Sequence, residues 1–432
     1  MSNKPKTKND IAWEKLFDKY DIKEKIDREG FYKISSIQIN EFREARLMTK
    51  FDHRNSLPQL FEQEKLSILP ITRGDYIIGQ FDVYHNFEKP SRQIHKFSFP
   101  SYISSINHDS ITSEANAINA AYISGIIADF AEDEKLLPTI SGRMSSEDFS
   151  FKVRNVINNQ LKSICVSNSQ IEIDGGYEGL NSFIIIEAKN SISDDFLIRQ
   201  LYYPYRLWKN RLQKPVRPVF LTYSNGIFSF YEYAFEDLYE YNSLSLVKQK
   251  NYSIEPDAIT LDDIIAIHKK VKIIPEPNNI PFPQANSFER IINLCEILYE
   301  NTTLSRDEIT YRYDFNSRQT NYYTDAGRYL GLIYKSREKG TIQYYLTQKG
   351  INLFSNSIKI RNLRFVEFIL EHKPFYLTFK LYLKRGKMPS KEEIVKIMKE
   401  SNLYRIEAEK TFHRRASTIT SWINWIIELT MR

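Results

Sequence analysis

Cysteine is scarce in this chain. Only two occur in 432 residues, Cys165 and Cys295, in different segments and without the spacing that metal-binding thiolates keep. That excludes a disulfide framework and a cysteine-ligated zinc module. Both thiols are expected to be buried, small, apolar groups in a reducing compartment. The seven histidines are scattered, with no His-x-x-x-His pair to set two imidazoles on one helix face. No apolar run approaches the length that spans a bilayer, and the opening MSNKPKTKND lacks the apolar stretch of a secretory leader. A Walker A loop is missing, which argues against ATP-driven movement. No internal repeat or long low-complexity tract stands out. These absences leave a cytoplasmic chain with no membrane partner, long enough for about two or three domains.

Charge is unevenly spread. From Ser287 to Arg432 there are 25 Lys and Arg against 16 Asp and Glu, a balance of +9, whereas residues 1–286 sum to −3. A basic third attached to an acidic-site enzyme is the footprint of a polyanion-binding module; the alternative is a solvated surface that happens to be basic.

The densest chemistry lies between Gln170 and Gln200, QIEIDGGYEGLNSFIIIEAKNSISDDFLIRQ. Side chains two apart on a strand share a face, so Glu187 and Lys189 project together, as do Glu172 and Asp174. A Gly- and Asn-rich turn from Gly175 to Asn181 predicts a hairpin that sets Asp174 beside the Glu187/Lys189 pair. Two carboxylates and an ammonium at a strand edge suit Mg2+ and the hydrolysis of a phosphodiester. In that chemistry Lys189 orients the water, helps deprotonate it, or stabilises charge building on phosphorus. The competing reading is a surface salt bridge of little worth. Phe183 to Ile186 is apolar on both faces, as in a buried strand, and charges at the end of such a strand favour a site.

Asp174, twelve intervening residues and then Glu187-Ala188-Lys189 resemble the motif of the PD-(D/E)XK nuclease superfamily, best known from type II restriction endonucleases. Ile173 stands where the motif name has proline, a departure many members share. The resemblance implies an α/β (α+β) restriction-endonuclease-like core, a mixed central sheet flanked by helices. It implies Mg2+ held by Asp174 and Glu187 with the Ala188 carbonyl as a further ligand, and Lys189 beside the attacking water. It also points to Gln200, on a helix after the catalytic strand, and to Glu114, which opens the helical segment EANAINAAYISGIIADF and would assist the metal. A helix dipole alone would also favour Glu114 where it stands. Glu172 is the weaker candidate on its strand. Pro218 to Tyr223 and Ile227 to Tyr233 read as strands joined by an Asn225-Gly226 turn.

From about Ser287 the pattern resembles a helical winged-helix domain. The first helix carries Phe288, Ile291, Ile292, Cys295 and Leu298 on one face, and Ser305-Arg306-Asp307-Glu308 is a capping box for the second. Asn316-Ser317 caps the third, and a wing turns at Lys339-Gly340. In such folds the third helix enters the major groove, which nominates Arg318, Gln319, Asn321 and Tyr322 as DNA contacts, with protein contacts as the alternative role. A second unit is expected after Ser390, with Arg414 and Arg415 at the entry to another recognition helix. They would contact phosphates, or be solvated helix-end charges. Arg46, His53, Arg54 and Arg73 in the N-terminal region either touch DNA or pair with Glu44, Asp52 and Asp75.

The expected domains are an N-terminal α/β region over 1–110, the nuclease core over 111–275 and the winged-helix DNA-binding part over 286–432. The resemblance implies a type II restriction endonuclease that cuts double-stranded DNA to 5′-phosphate ends. Cutting two strands makes a homodimer the default. The methyltransferase signature Asn/Asp-Pro-Pro-Tyr is missing, so a protective cognate DNA methyltransferase would be a separate protein. The alternatives are a modification-dependent or repair nuclease on the same core, and a non-catalytic winged-helix DNA-binding regulator.

Overall fold

The computed structural model describes residues 6–254, 257–315, 317–338 and 340–432. Mixed α/β structure is organised around a seven-stranded mixed sheet. Its strand order is Ile94–Lys96, Leu244–Ser253, Ile227–Phe235, Val216–Ser224, Phe183–Lys189, Gln170–Glu178 and Leu137–Ser145. The two central strands, Val216–Ser224 and Phe183–Lys189, run parallel, with Lys189 opposite Thr222 at the carboxyl end. Antiparallel pairs flank them on both sides.

Burial of the central strand on both faces explains its continuous apolar run. Ile184, Ile186 and Ala188 pack into a cluster with Ala117, Ile118 and Ala121 of the helix Glu114–Ile123. Phe183 and Ile185 pack with Leu201 and Tyr202 of the helix Arg199–Arg211 on the opposite face. With a side-chain period of two, Glu187 and Lys189 continue the second set, towards the Arg199–Arg211 helix. The segment expected as one helix from Glu114 is broken at Ser124-Gly125. Gly125 adopts φ +82°, and a second short helix follows, Ile126–Ala131.

The hairpin turn also differs from expectation. Gly175 and Gly176 lie inside the strand Gln170–Glu178, and the turn falls at residues 179–182. Crowding accounts for the glycine at 175: a Cβ there would stand 3.0 Å from the Tyr177 ring and 3.3 Å from Ile118. The missing side chain lets the Glu114 helix settle against the Asp174 strand. Cys165 departs from its expected burial. It lies on a strand, Leu161–Ser167, where Ile164 and Val166 turn inward, so its own side chain faces out and is exposed. Cys295 is buried.

Residues 8–79 form helices over a three-stranded sheet with their own apolar cluster around Trp13, Phe51 and Phe61. The strands Tyr84–Asn86 and Ile94–Lys96 pair with later parts of the chain, at Asp195–Leu197 and Leu244–Ser253.

In the C-terminal third the order is helix Phe288–Asn301, strand Thr303–Ser305, helix Arg306–Arg312, helix Ser317–Tyr329 and strands Ile333–Glu338 and Thr341–Leu346. Ser305 and Glu308 close the capping box. The expected cap residue Asn316 and the turn residue Lys339 lie outside the described residues. The second unit expected after Ser390 is not separate: Ile394, Trp422 and Ile426 share one apolar cluster with Phe288, Ile291 and Leu330. Arg414 and Arg415 are not at a helix entry that starts there but in the second turn of a long helix, Glu409–Glu428.

Among the described residues no helix is long and apolar enough to cross a membrane.

Candidate active site and its neighbours

The ladder between the Asp174 strand and the Glu187 strand ends at the pair Gly175–Ile186. Beyond it the strands part, and the Asp174 carboxylate (Oδ2) takes over the freed backbone amide of Ala188 at 2.8 Å. The parting opens a notch at the carboxyl end of the central strand. Into it project Glu187, 8% exposed, and Lys189, whose ammonium donates to Glu187 Oε1 at 2.6 Å and to the Ala188 carbonyl at 3.1 Å. Gln200 donates its Nε2 to the same Glu187 oxygen at 2.6 Å. Glu114, at the first turn of its helix, stands 3.9 Å from the Lys189 ammonium. All five residues singled out from the sequence therefore meet at one place. Glu172 instead pairs with Arg143 at an exposed edge.

The electrostatics of this cluster are those of a site short of positive charge. Burial, together with the neighbouring Asp174 and Glu114 charges, pushes the Glu187 carboxyl up to about 7 against the pull of Lys189. Burial and Asp174 raise Glu114 as well, again opposed by Lys189. Burial disfavours the Lys189 ammonium, but Glu187, Glu114 and Asp174 outweigh it and hold the amine well above its ordinary value. Lys189 thus keeps its proton at neutral pH. Three carboxylates surround one ammonium, and the buried Gln200 Oε1 has no hydrogen-bond partner. Asp174, Glu187 and Glu114 are oxygen ligands of the kind a hard divalent cation takes, although among the described residues the three ligand-type groups that lie within 4.8 Å of one another are those of a different cluster.

Several residues near the cluster escaped the reading of the sequence. Asn190, next after Lys189, donates its side-chain amide to the Thr112 carbonyl and to Glu300, both at 3.0 Å. Lys50 acts on Glu114 and Asp52 on Lys189 through their charges, so the N-terminal segment reaches this end of the sheet. No local pattern announces such partners, because each comes from a distant stretch of chain.

A second buried cluster joins three regions. Ligand-type atoms of His53, Asp195 and Asp314 lie within 4.8 Å of one another, a grouping that could hold a metal. Its surroundings are those of an ion-pair junction. Arg54 bonds to Asp195 at 3.2 Å, and Arg290 lies 2.9 Å from Asp194 and 3.7 Å from Asp314. Asp314 further accepts from the Asn55 side chain and the Asp194 amide, both at 2.8 Å. His53 Nδ1 lies 2.7 Å from the Asp195 carbonyl. Of the N-terminal candidates, His53 and Arg54 are engaged here, and Arg46 pairs with Glu44 at 3.1 Å.

Burial works against the His53 imidazolium, but its bond to Asp195 and the charges of Asp314 and Asp52 raise its pKa overall. A raised histidine contributes stability that is present below its ordinary value and lost as pH climbs through the folded one. We expect His53→Gln to be less stable than wild type by about 2 kcal/mol near pH 6. The gap should narrow towards about pH 8 as the wild-type imidazole discharges. Urea unfolding at the two pH values measures it, and an unchanged gap would contradict the assignment.

On the C-terminal module Arg318 and Asn321 are exposed, and Gln319 and Tyr322 are half-buried near the start of the helix Ser317–Tyr329. Arg415 is half-buried, and its Nε has no hydrogen-bond partner. Burial and the adjacent Arg414 push its guanidinium down to about 10, while Tyr322 and Asp325 act on it in the opposite sense. The two stretches singled out as DNA contacts thus lie side by side. Arg73 sits apart, exposed in the turn of the N-terminal sheet.

Comparison with known families divides the chain in three. Residues 10–78 match a family model described as a domain of unknown function (DUF6996), residues 79–253 one described as a domain of unknown function (DUF6997), and residues 290–431 another, a domain of unknown function (DUF7226). The Asp174–Glu187–Lys189 notch falls within the middle match. No curated protein and no solved structure matches the chain.

Proposed function

We propose that this protein is a Mg2+-dependent endonuclease for double-stranded DNA, similar to the type II restriction enzymes of the PD-(D/E)XK superfamily. The observation that carries the reading is the convergence of Asp174, Glu187, Lys189, Glu114 and Gln200 where the central strand parts from its neighbour. Asp174, Glu187 and the Ala188 carbonyl would hold the ion, with Glu114 in reach of the same notch. Mg2+ bound there supplies Lewis-acid charge at the scissile phosphate and acidifies water for attack. Lys189, 2.6 Å from Glu187, would orient the attacking water, help deprotonate it, or stabilise the charge that develops on the phosphate oxygens. Gln200 holds Glu187 in place through one side-chain hydrogen bond.

The C-terminal order of helix, strand, two helices and two strands resembles that of a winged helix, which supports DNA as the polyanion. The unpaired charge of Arg415 beside Tyr322 supports a phosphate contact there. A homodimer and a separately encoded methyltransferase complete this reading.

Incubation of unmodified phage DNA with the protein and Mg2+ should give discrete fragments with 5′-phosphate ends. Parallel digestion of methylated DNA separates the modification-dependent alternative. Tight DNA binding with no Mg2+-dependent cutting would leave the regulator. Arg415→Ala is expected to weaken DNA binding about equally for all sequences and to lower the salt slope by about one ion. Asn321→Ala should instead cost about 1–3 kcal/mol on the preferred site alone. Binding titrations across salt concentrations distinguish the two.

A further inference from the structure

The helix Phe288–Asn301 turns its apolar face into the C-terminal cluster, and its other face carries Arg290, Asn293, Glu296 and Glu300 at helical spacing. This polar stripe lies on the nuclease-like core, where it grips the segment that follows Lys189. Arg290 pairs with Asp194, Glu300 receives the Asn190 amide, and Glu296 accepts from Ser224 and from the Asn225 backbone. Asn293 is the centre of the grip. It is 2% exposed, donates its Nδ2 to the Asn190 carbonyl at 2.9 Å and accepts the Ile192 amide on Oδ1 at 3.0 Å. One side chain thereby plays the part of a neighbouring strand for the backbone one and three residues beyond the catalytic lysine.

We propose that Asn293 is a positioning residue for the active site, through which the C-terminal module sets the place of Lys189. This rests on the nuclease reading above. The Lys189 side chain reaches Glu187 from a backbone that is paired on one side only, to Thr222, because the Asp174 strand has already parted from it. Asn190 is the next anchor along the chain, and both its carbonyl and its side chain are held. A shift of that anchor moves the ammonium relative to Glu187 and Glu114, while the DNA-facing residues of the module stay where they are. The effect should therefore fall on turnover rather than on binding.

Asn293→Ala in the full chain is the test, read by cleavage kinetics and by hydrogen exchange of peptides covering residues 190–195. The expected result is kcat lowered at least about tenfold with KM for DNA within about twofold, together with loss of exchange protection in that segment. Asn293→Asp keeps the shape and the acceptor, loses the donor to Asn190 and to Glu296, and adds a negative charge beside Glu296. It is the second variant should alanine not fold, and loss of exchange protection at 190–195 with KM unchanged is the result expected of it as well. Unchanged kcat in a wild-type-competent assay, or unchanged exchange at 190–195, overturns the role of Asn293 while the nuclease reading stands. Wild-type protein that cuts no DNA with Mg2+ overturns the nuclease reading and this role with it, and that outcome is visible before any variant is made.

Discussion

Lys189→Ala is expected to lower Mg2+-dependent DNA cleavage by about 10²–10³-fold, the cost of removing one preorganised charge from a developing anion. Affinity for DNA should stay within about twofold, because the amine lies in the notch and is not among the basic residues of the C-terminal module. Lys189→Arg should restore little, since a planar fork does not replace a point charge at 2.6 Å from Glu187. The pH profile makes the assignment sharper. Burial pushes the Glu187 carboxyl up to about 7, and on the proposed reading its carboxylate form is the one that would serve as a ligand. Activity under limiting Mg2+ should rise with pH through that value and flatten above it. Lys189, raised by its carboxylate neighbours, contributes no falling limb in this range. Single-turnover cleavage at saturating protein, followed across pH, measures both effects. An alanine variant that cuts at the wild-type rate would end the nuclease reading.

Local pattern made much of the site legible. The apolar run Phe183–Ile186 marked a strand buried on both faces, and the period of two then placed Glu187 and Lys189 together. Asn225-Gly226, the Ser305–Glu308 capping box and the apolar face at Phe288, Ile291 and Cys295 are likewise short-range signals, and each element forms where it was expected. Glycine misled. Gly175 and Gly176 read as a turn by composition, whereas close approach of Ile118, Tyr177 and Ile140 demands their small size inside a strand. Cys165 is exposed, against the expectation for a lone thiol, because its neighbours' alternation, not its own chemistry, decides its side of the strand. Arg414 and Arg415 resemble a helix entry when the stretch after Ser390 is read as a unit of its own, whereas Trp422 and Ile426 share one core with Phe288. What no window of sequence could show was the joining of regions. His53 meets Asp195 and Asp314 across separations of more than a hundred residues, and Asn293 meets Asn190 in the same way.

That joining has its own large expected effect, at Arg361. Its guanidinium is 2% exposed, packs on Phe354, donates to the Asp109 carbonyl and stands 3.9 Å from Glu296. Glu296 in turn caps the Ser224–Asn225 turn of the core hairpin at 2.8 Å from each donor. Burial raises the Glu296 carboxyl, and Arg361 is the charge that opposes this. Arg361→Met keeps most of the packing volume and removes the charge, leaving a buried carboxylate uncompensated, which costs about 3–5 kcal/mol. A carboxyl raised in the fold loses stability as pH rises past its ordinary value, and without Arg361 it rises further. The deficit of the variant should therefore be larger at about pH 8 than at about pH 5, where Glu296 takes up a proton. Glu296→Gln added to Arg361→Met removes the stranded charge, keeps one carbonyl acceptor for the Asn225 amide and turns the Ser224 contact into a donation from the Gln NH2 to the hydroxyl. The double variant should recover a large part of the loss, about half or more, since the pair matters more broken than replaced. Urea midpoints of the two single variants and the double variant at both pH values close the cycle. An Arg361→Met deficit independent of pH and of Glu296 would show packing on Phe354, not charge, to be what this arginine supplies.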